Sequence, residues 1–240
     1  MTVSRQSIYE LINPDSTKVG KIHFVDYFWG DQLNRFVWGI ETGGGAAGTV
    51  TMSNSVNGGV DLTTGTSYTN RATMGFAADS TSGNPDNSAL VFDSQGAVIQ
   101  FIMKFTSHAS SQPNAMTAGF HCERRGDNAG QNGCAVMLRG DNFKLRTCDN
   151  AHNQSESDSG LPNSTRFTNH FFRVEIQPTV ASLAIDGVLS SSHTGSLPSK
   201  SNNASYTGKT GGLAPCFGLQ NGSSGHALSL NVSYVEAWNT

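Results

Sequence analysis

Three segments of strict period-2 alternation near the end of the chain, the first two joined by a tight turn, restrict it to antiparallel sheet. From Phe171 to Gln177 the apolar Phe172, Val174 and Ile176 alternate with Arg173, Glu175 and Gln177, and Leu183 and Ile185 keep that parity up to Asp186-Gly187. Asp tolerates and Gly welcomes the positive φ of a two-residue hairpin turn, and Val188 and Leu189 restart the chain on the return strand. In the closing segment, Ala227 to Trp238, the alternation predicts Leu228, Leu230, Val232, Tyr234 and Trp238 on a buried face, with Ser229, Asn231 and Ser233 on a wet one.

Earlier strands read less sharply. Thr49 to Met52, Gly59 to Thr63, Arg71 to Ala77, Val98 to Phe105, Met116 to Glu123, Gly133 to Arg139 and Asn142 to Cys148 are expected as strands. Gly43-Gly44-Gly45 is expected as a bend, and Asp79 to Asn87, Asp149 to Thr168 and Ser190 to Gly211 as polar loops. So many short strands in 240 residues suit one two-sheet sandwich.

Residues 1–22 differ from the rest. Ser7 and Glu10 fit a capping box, so a short helix is expected before Asn13-Pro14. Its apolar Ile8, Tyr9, Leu11 and Ile12 are expected to fold back on the domain of residues 23–240 or to dock on another subunit.

Charged residues make up only 14% of the chain, so hydroxyls and amides must solubilise its surface, which suits neutral partners. The net charge is −3 and the 15 Lys and Arg are scattered, which argues against nucleic acid. No apolar stretch approaches the roughly 20 residues that cross a bilayer, and the first ten residues lack the core of a secretory signal. Among the four cysteines, Cys122 and Cys134 share core-facing parity, so either a bridge or two reduced thiols is open, while Cys148 should face the other way. No Cys-x-x-Cys or His-x-x-x-His spacing suggests zinc, no cofactor is implied, and a structural calcium ion stays an open alternative.

The order of four pieces carries a resemblance: Phe28 to Trp38, Asn57 to Gly65, the Phe172 to Val188 hairpin, and Leu213 to Asn221 leading into Val232 to Val235. Together they resemble the concanavalin A-like lectin/glucanase jelly roll, in the form found in bacteriophage structural proteins. The resemblance implies an all-β two-sheet antiparallel jelly roll serving as a virion surface module, a capsid decoration or a fibre or tail-associated protein. It also implies a homo-oligomer tied to other virion proteins through the arm, and host glycans met by the loops.

Glucanases of this superfamily carry Glu-x-Asp-x-x-Glu on one strand, aiming the carboxylates into a cleft. Of six Glu here, only Glu156 has an Asp two residues on, Asp158, and Leu161 stands where the motif would close. Glu175 has no second carboxylate at strand spacing, and His121, the nearest candidate base, has no partner fixed by spacing. No catalytic residue is therefore assigned, and a non-catalytic role is expected, with a polysaccharide-degrading enzyme or a free lectin as alternatives.

Two candidate binding features remain. Arg125-Gly126-Asp127-Asn128 and Arg139-Gly140-Asp141-Asn142 repeat one tetrapeptide at successive hairpin tips. Turn chemistry explains both, but side by side they would offer Arg125, Asp127, Asn128, Arg139, Asp141 and Asn142 to sugar hydroxyls or a cation. Trp29 and Trp38 pose a second choice, between core packing and stacking on a sugar ring.

Overall fold

The computed structural model describes residues 9–11, 23–35, 37–43, 48–53, 58–76, 92–107, 116–121, 133–139, 142–149, 151, 153–199, 212–222 and 226–240. Seventeen strands follow in order: β1 Tyr9–Leu11, β2 His23–Asp26, β3 Trp38–Gly43, β4 Thr49–Met52, β5 Val60–Thr63, β6 Arg71–Phe76, β7 Phe92–Asp93, β8 Ala97–Ser107 and β9 Met116–His121. The rest are β10 Gly133–Arg139, β11 Asn142–Cys148, β12 Gln154–Pro162, β13 His170–Ile176, β14 Ala181–Ile185, β15 Val188–His193, β16 Gly212–Gln220 and β17 Ser229–Asn239. The described residues contain no α-helix, and none of their helices is long and apolar enough to cross a membrane.

Two antiparallel sheets stack on each other. The larger runs β1-β2-β17-β8-β13-β14-β15, with β5 also on β17 and β4 on β5; the smaller runs β12-β11-β10-β9-β16-β6-β3, with β7 on β16. The expected all-β sandwich is the observed one. Alternation explains the interface: Ile99, Phe101, Met103 and Phe105 of β8 face Ala118, Phe120, Val136, Leu138, Phe143 and Leu145 of the smaller sheet in one buried core. Phe101 stacks on Phe172 at 5.4 Å and meets Phe217 of the opposite sheet edge-on at 5.3 Å. Such ring pairs add roughly 0.5–1.5 kcal/mol each beyond the area they bury.

The hairpin turn has the conformation its residues predict. Asp186 and Gly187 take φ of 52° and 83°, and Ile185 pairs with Val188 across them. Asp186 also ties down the strand beside it: its Oδ1 accepts the Phe171 N–H at 2.9 Å and its Oδ2 lies 2.7 Å from His170 Nδ1.

Three expectations are corrected. Tyr9–Leu11 is a strand paired with β2 rather than helix, because β2 offers an open row of backbone donors and acceptors; Ser7, Ile8 and Ile12 lie outside the described residues. The stretch 149–168 holds β12, whose Ser-Glu-Ser-Asp-Ser run has no apolar face to reveal it. In β17 the register shifts between Val232 and Tyr234, so Val235 and Ala237 enter the core and Tyr234 and Trp238 turn away from it.

The cysteines follow parity. Cys134 is a free thiol in the main core, so no Cys122–Cys134 bridge forms, and Cys122 lies outside the described residues. Cys148 faces the other way, against Ala135.

Candidate functional site

The smaller sheet turns one face to the core, and its other face is ordered in rows that cross all seven strands. One row reads Asp158, Lys144, Met137, Thr117, Gly218, Thr73 and Glu41 from β12 to β3. The next reads Glu156, Arg146, Ala135, Gly119, Cys216, Gly75 and Gly39, small residues in every central position. Charge gathers at both ends. Arg71 pairs with Glu41 at one, and Arg146 pairs with Glu156 through Nε at 2.8 Å at the other.

Thr73 and Thr117 stand at the middle, on either side of Gly218 and so about 10 Å apart, two inter-strand spacings. Both side chains are fully buried, and neither hydroxyl has a hydrogen-bond partner. An unsatisfied buried hydroxyl costs roughly 1–3 kcal/mol, so the pair is a stored demand for donors and acceptors. β6 and β9 place them identically: each carries Thr-x-Gly-Phe, Thr73 to Phe76 and Thr117 to Phe120, flanking β16. In each, Thr and Gly face outward while Phe turns into the core, where Phe92 lies 6.3 Å from Phe76 and 5.4 Å from Phe120. That repeated tetrapeptide is the sequence signal that could have found the pair.

The carboxylates on this face are distributed rather than converged. Glu156 and Asp158, half of the glucanase spacing, sit on strand β12 and not in a loop, on the face with Lys144 and Arg146. Asp158 is held below the ordinary carboxylate range, first by the Asn142 amide donating to it at 2.7 Å and then by the Gly160 N–H at 2.8 Å. Glu41, at the far end of the row, is about 29 Å from Asp158 by strand spacing, beyond the reach of a two-carboxylate mechanism.

The expected residues distribute as follows. Arg125, Asp127, Asn128 and Asp141 lie outside the described residues. Arg139 ends β10 with its backbone opposite Asn142, which opens β11. His121 ends β9 opposite Ala214. Glu175 is on the larger sheet, bonded to Arg173 at 2.9 Å and Gln177 at 2.8 Å; its partial burial raises its pKa, but these partners outweigh that and hold it below the ordinary range. Trp38 is core, whereas Trp29 is 64% exposed. Among the described residues no group of three His, Cys, Asp or Glu could hold a metal.

No family model matches the chain, and no curated protein matches its sequence. Solved structures do. A β-1,3-1,4-glucanase (lichenase) from a mouse hindgut metagenome aligns at TM-score 0.53 and 13% identity, over 90% of this chain and 98% of its own. The binding domain of botulinum neurotoxin DC in complex with SialylT aligns at TM-score 0.51 and 9% identity, over 90% of this chain and 44% of its own, so this chain spans under half of that one. A family 7 alginate lyase, A1-II′, aligns at TM-score 0.49 and 12% identity, over 79% of this chain and 83% of its own. The fold is thus the concanavalin A-like jelly roll. The expectation of a non-catalytic chain is corrected: the lichenase has this fold, so the architecture gives no ground for excluding catalysis, and a missing Glu-x-Asp-x-x-Glu removes only one arrangement.

Proposed function

We propose that the chain is a glycan-engaging jelly-roll module of a phage virion surface, with the outer face of the smaller sheet as its sugar-binding surface. The observation that carries the reading is the pair of buried, unpartnered hydroxyls of Thr73 and Thr117 flanking Gly218. A sugar presents hydroxyls that both donate and accept, so it meets such groups without bringing a charge into a buried site. The neighbouring row is built of small residues in its central positions, all buried as the threonines are. The virion setting rests on the resemblance of the ordered segments. In that setting Ile8, Tyr9, Leu11 and Ile12 tie subunits or virion proteins together, and the Arg125 to Asn128 and Arg139 to Asn142 tips supply further sugar contacts.

Binding to a panel of soluble polysaccharides, with release of reducing ends or unsaturated sugars followed in the same incubations, tests the reading. The Thr73→Val, Thr117→Val double variant keeps the shape and removes both hydroxyls. It should bind about tenfold more weakly or worse while melting at the same temperature or higher, because each lost hydroxyl relieves an unsatisfied group. Unchanged binding, or a marked drop in melting temperature, would sink the proposal. Product release abolished in the same variant would place turnover on this face.

A further inference from the structure

The outer face of the larger sheet carries a strip of aromatic rings that the smaller sheet's site does not use. Trp29 and Tyr27 are 64% and 44% exposed, and their ring centroids lie 5.2 Å apart at 30°. Tyr27 is 5.4 Å from Tyr234, and Tyr234 is 6.4 Å from Phe171, nearly parallel to it at 29°. Four rings from three places in the chain therefore form one continuous line. Phe28, between the two exposed rings, points into the core with φ of 50°, as Phe24 and Asp26 do before it, and its two neighbours face outward.

The polar groups beside the strip are matched among themselves. Glu236 takes His23 Nε2 at 2.6 Å and the Tyr234 hydroxyl, and Arg173 bonds Glu175 at 2.9 Å while lying 5.2 Å over the Trp238 ring. Asn231 donates to Asp61 at 2.7 Å in the row that also holds Lys104. The named groups are three carboxylates, Glu236, Glu175 and Asp61, against Arg173, Lys104 and the His23 ring, so no excess of positive charge awaits a uronate or a sialate. What the face does offer is apolar ring surface bordered by donors and acceptors.

We propose that this strip is a second glycan site, a stacking platform for a linear neutral polysaccharide. The apolar C–H face of a pyranose packs on aromatic rings, and its rim hydroxyls reach the polar groups alongside. The strip is a single ring wide, whereas a stable protein partner covers about 20–30 residues on each side. That shape favours a ligand that is itself one ring wide.

Affinity electrophoresis in native gels containing mixed-linkage β-glucan, dextran or alginate tests this, with light-scattering mass measured alongside. The protein should be retarded by a neutral polysaccharide and not by alginate. Trp29→Ala and Tyr27→Ala should each weaken that retardation by about tenfold, Trp29→Phe should largely keep it, and all three should melt as the parent does, since the rings are exposed. The Thr73→Val, Thr117→Val variant should still be retarded, which separates this site from the one on the smaller sheet. Absence of retardation by both neutral polymers, retardation of the Thr73→Val, Thr117→Val variant that survives addition of Trp29→Ala and Tyr27→Ala, or a dimer that Trp29→Ala converts to monomer would each overturn the proposal, the last by making the strip a protein interface.

Discussion

Trp38 donates its indole Nε1–H to Asp26 Oδ2 over 2.8 Å, and both side chains are fully buried. The other oxygen of the same carboxyl accepts the Phe28 N–H at 2.7 Å. One buried acid thus joins a core indole to the backbone at Phe28, whose neighbours Tyr27 and Trp29 face outward.

Burial raises the Asp26 pKa from 3.8 to about 6, against the lowering effect of the Trp38 and Phe28 hydrogen bonds. The folded chain therefore holds this proton up to about pH 6, while the unfolded chain releases it near pH 4. Over that window the folded state binds more protons, so the Asp26 contribution to stability falls as pH rises and is flat above it, by on the order of 2–3 kcal/mol in all. Urea unfolding of the parent and Asp26→Asn between pH 4 and 7 should show a flatter profile for the variant. Equal slopes would refute the assignment.

Asp186 carries the opposite sign. Partial burial raises its pKa, yet the His170 and Phe171 hydrogen bonds outweigh this and hold it below the ordinary range. Its contribution is present above pH 4 and is lost as the pH falls through the folded pKa, so Asp186→Ala should destabilise near neutrality and converge with the parent in acid. Gly187→Ala, at φ of 83° with open space around it, should cost only about 1 kcal/mol at any pH. Thermal melts at pH 3 and pH 7 distinguish the two.

Gly119 stands in the row beside Thr117, where a Cβ would lie 2.7 Å from the Cys134 carbonyl oxygen and 2.8 Å from the Ala135 Cα. Backbone cannot yield as a side chain does, so Gly119→Ala should cost more than Gly187→Ala, roughly 2–4 kcal/mol, and should disturb the register of β9 on β10. Equal losses in chemical denaturation would show that the strands part easily here.

The Cys134 thiol is buried and its pKa is pushed up by that burial. Peptide mapping after maleimide treatment at neutral pH should find Cys134 unmodified in the native protein and fully modified in denaturant. Modification under native conditions would mean that the core opens around β10.

Strands bounded by turns and built on apolar alternation were legible in the sequence. Thr49–Met52, Gly133–Arg139 and Asn142–Cys148 have the bounds that their patterns predict. β12 was not legible, because an edge strand whose Ser157 hydroxyl bonds to that of Ser191 on β15 needs no apolar face. The site was hidden for a different reason. Thr73, Gly218 and Thr117 are 44 residues or more apart in the chain and meet only through strand pairing, which no local pattern encodes. Trp29 and Trp38 show the same limit, since equal residues nine apart went to surface and core, one after β2 and one opening β3 in the other sheet.

The extra residue near Ser233 divides the final strand into two lengths of opposite orientation, one before the offset lining the interior with even numbers and one after it with odd. Were the strand flat there, with Ser233 paired like its neighbours, Tyr234 and Trp238 would swing inward and Val235 and Ala237 would be expelled. The aromatic line is therefore written in how many residues the strand contains as much as in which ones, and a frame slip could erase it with every ring still present.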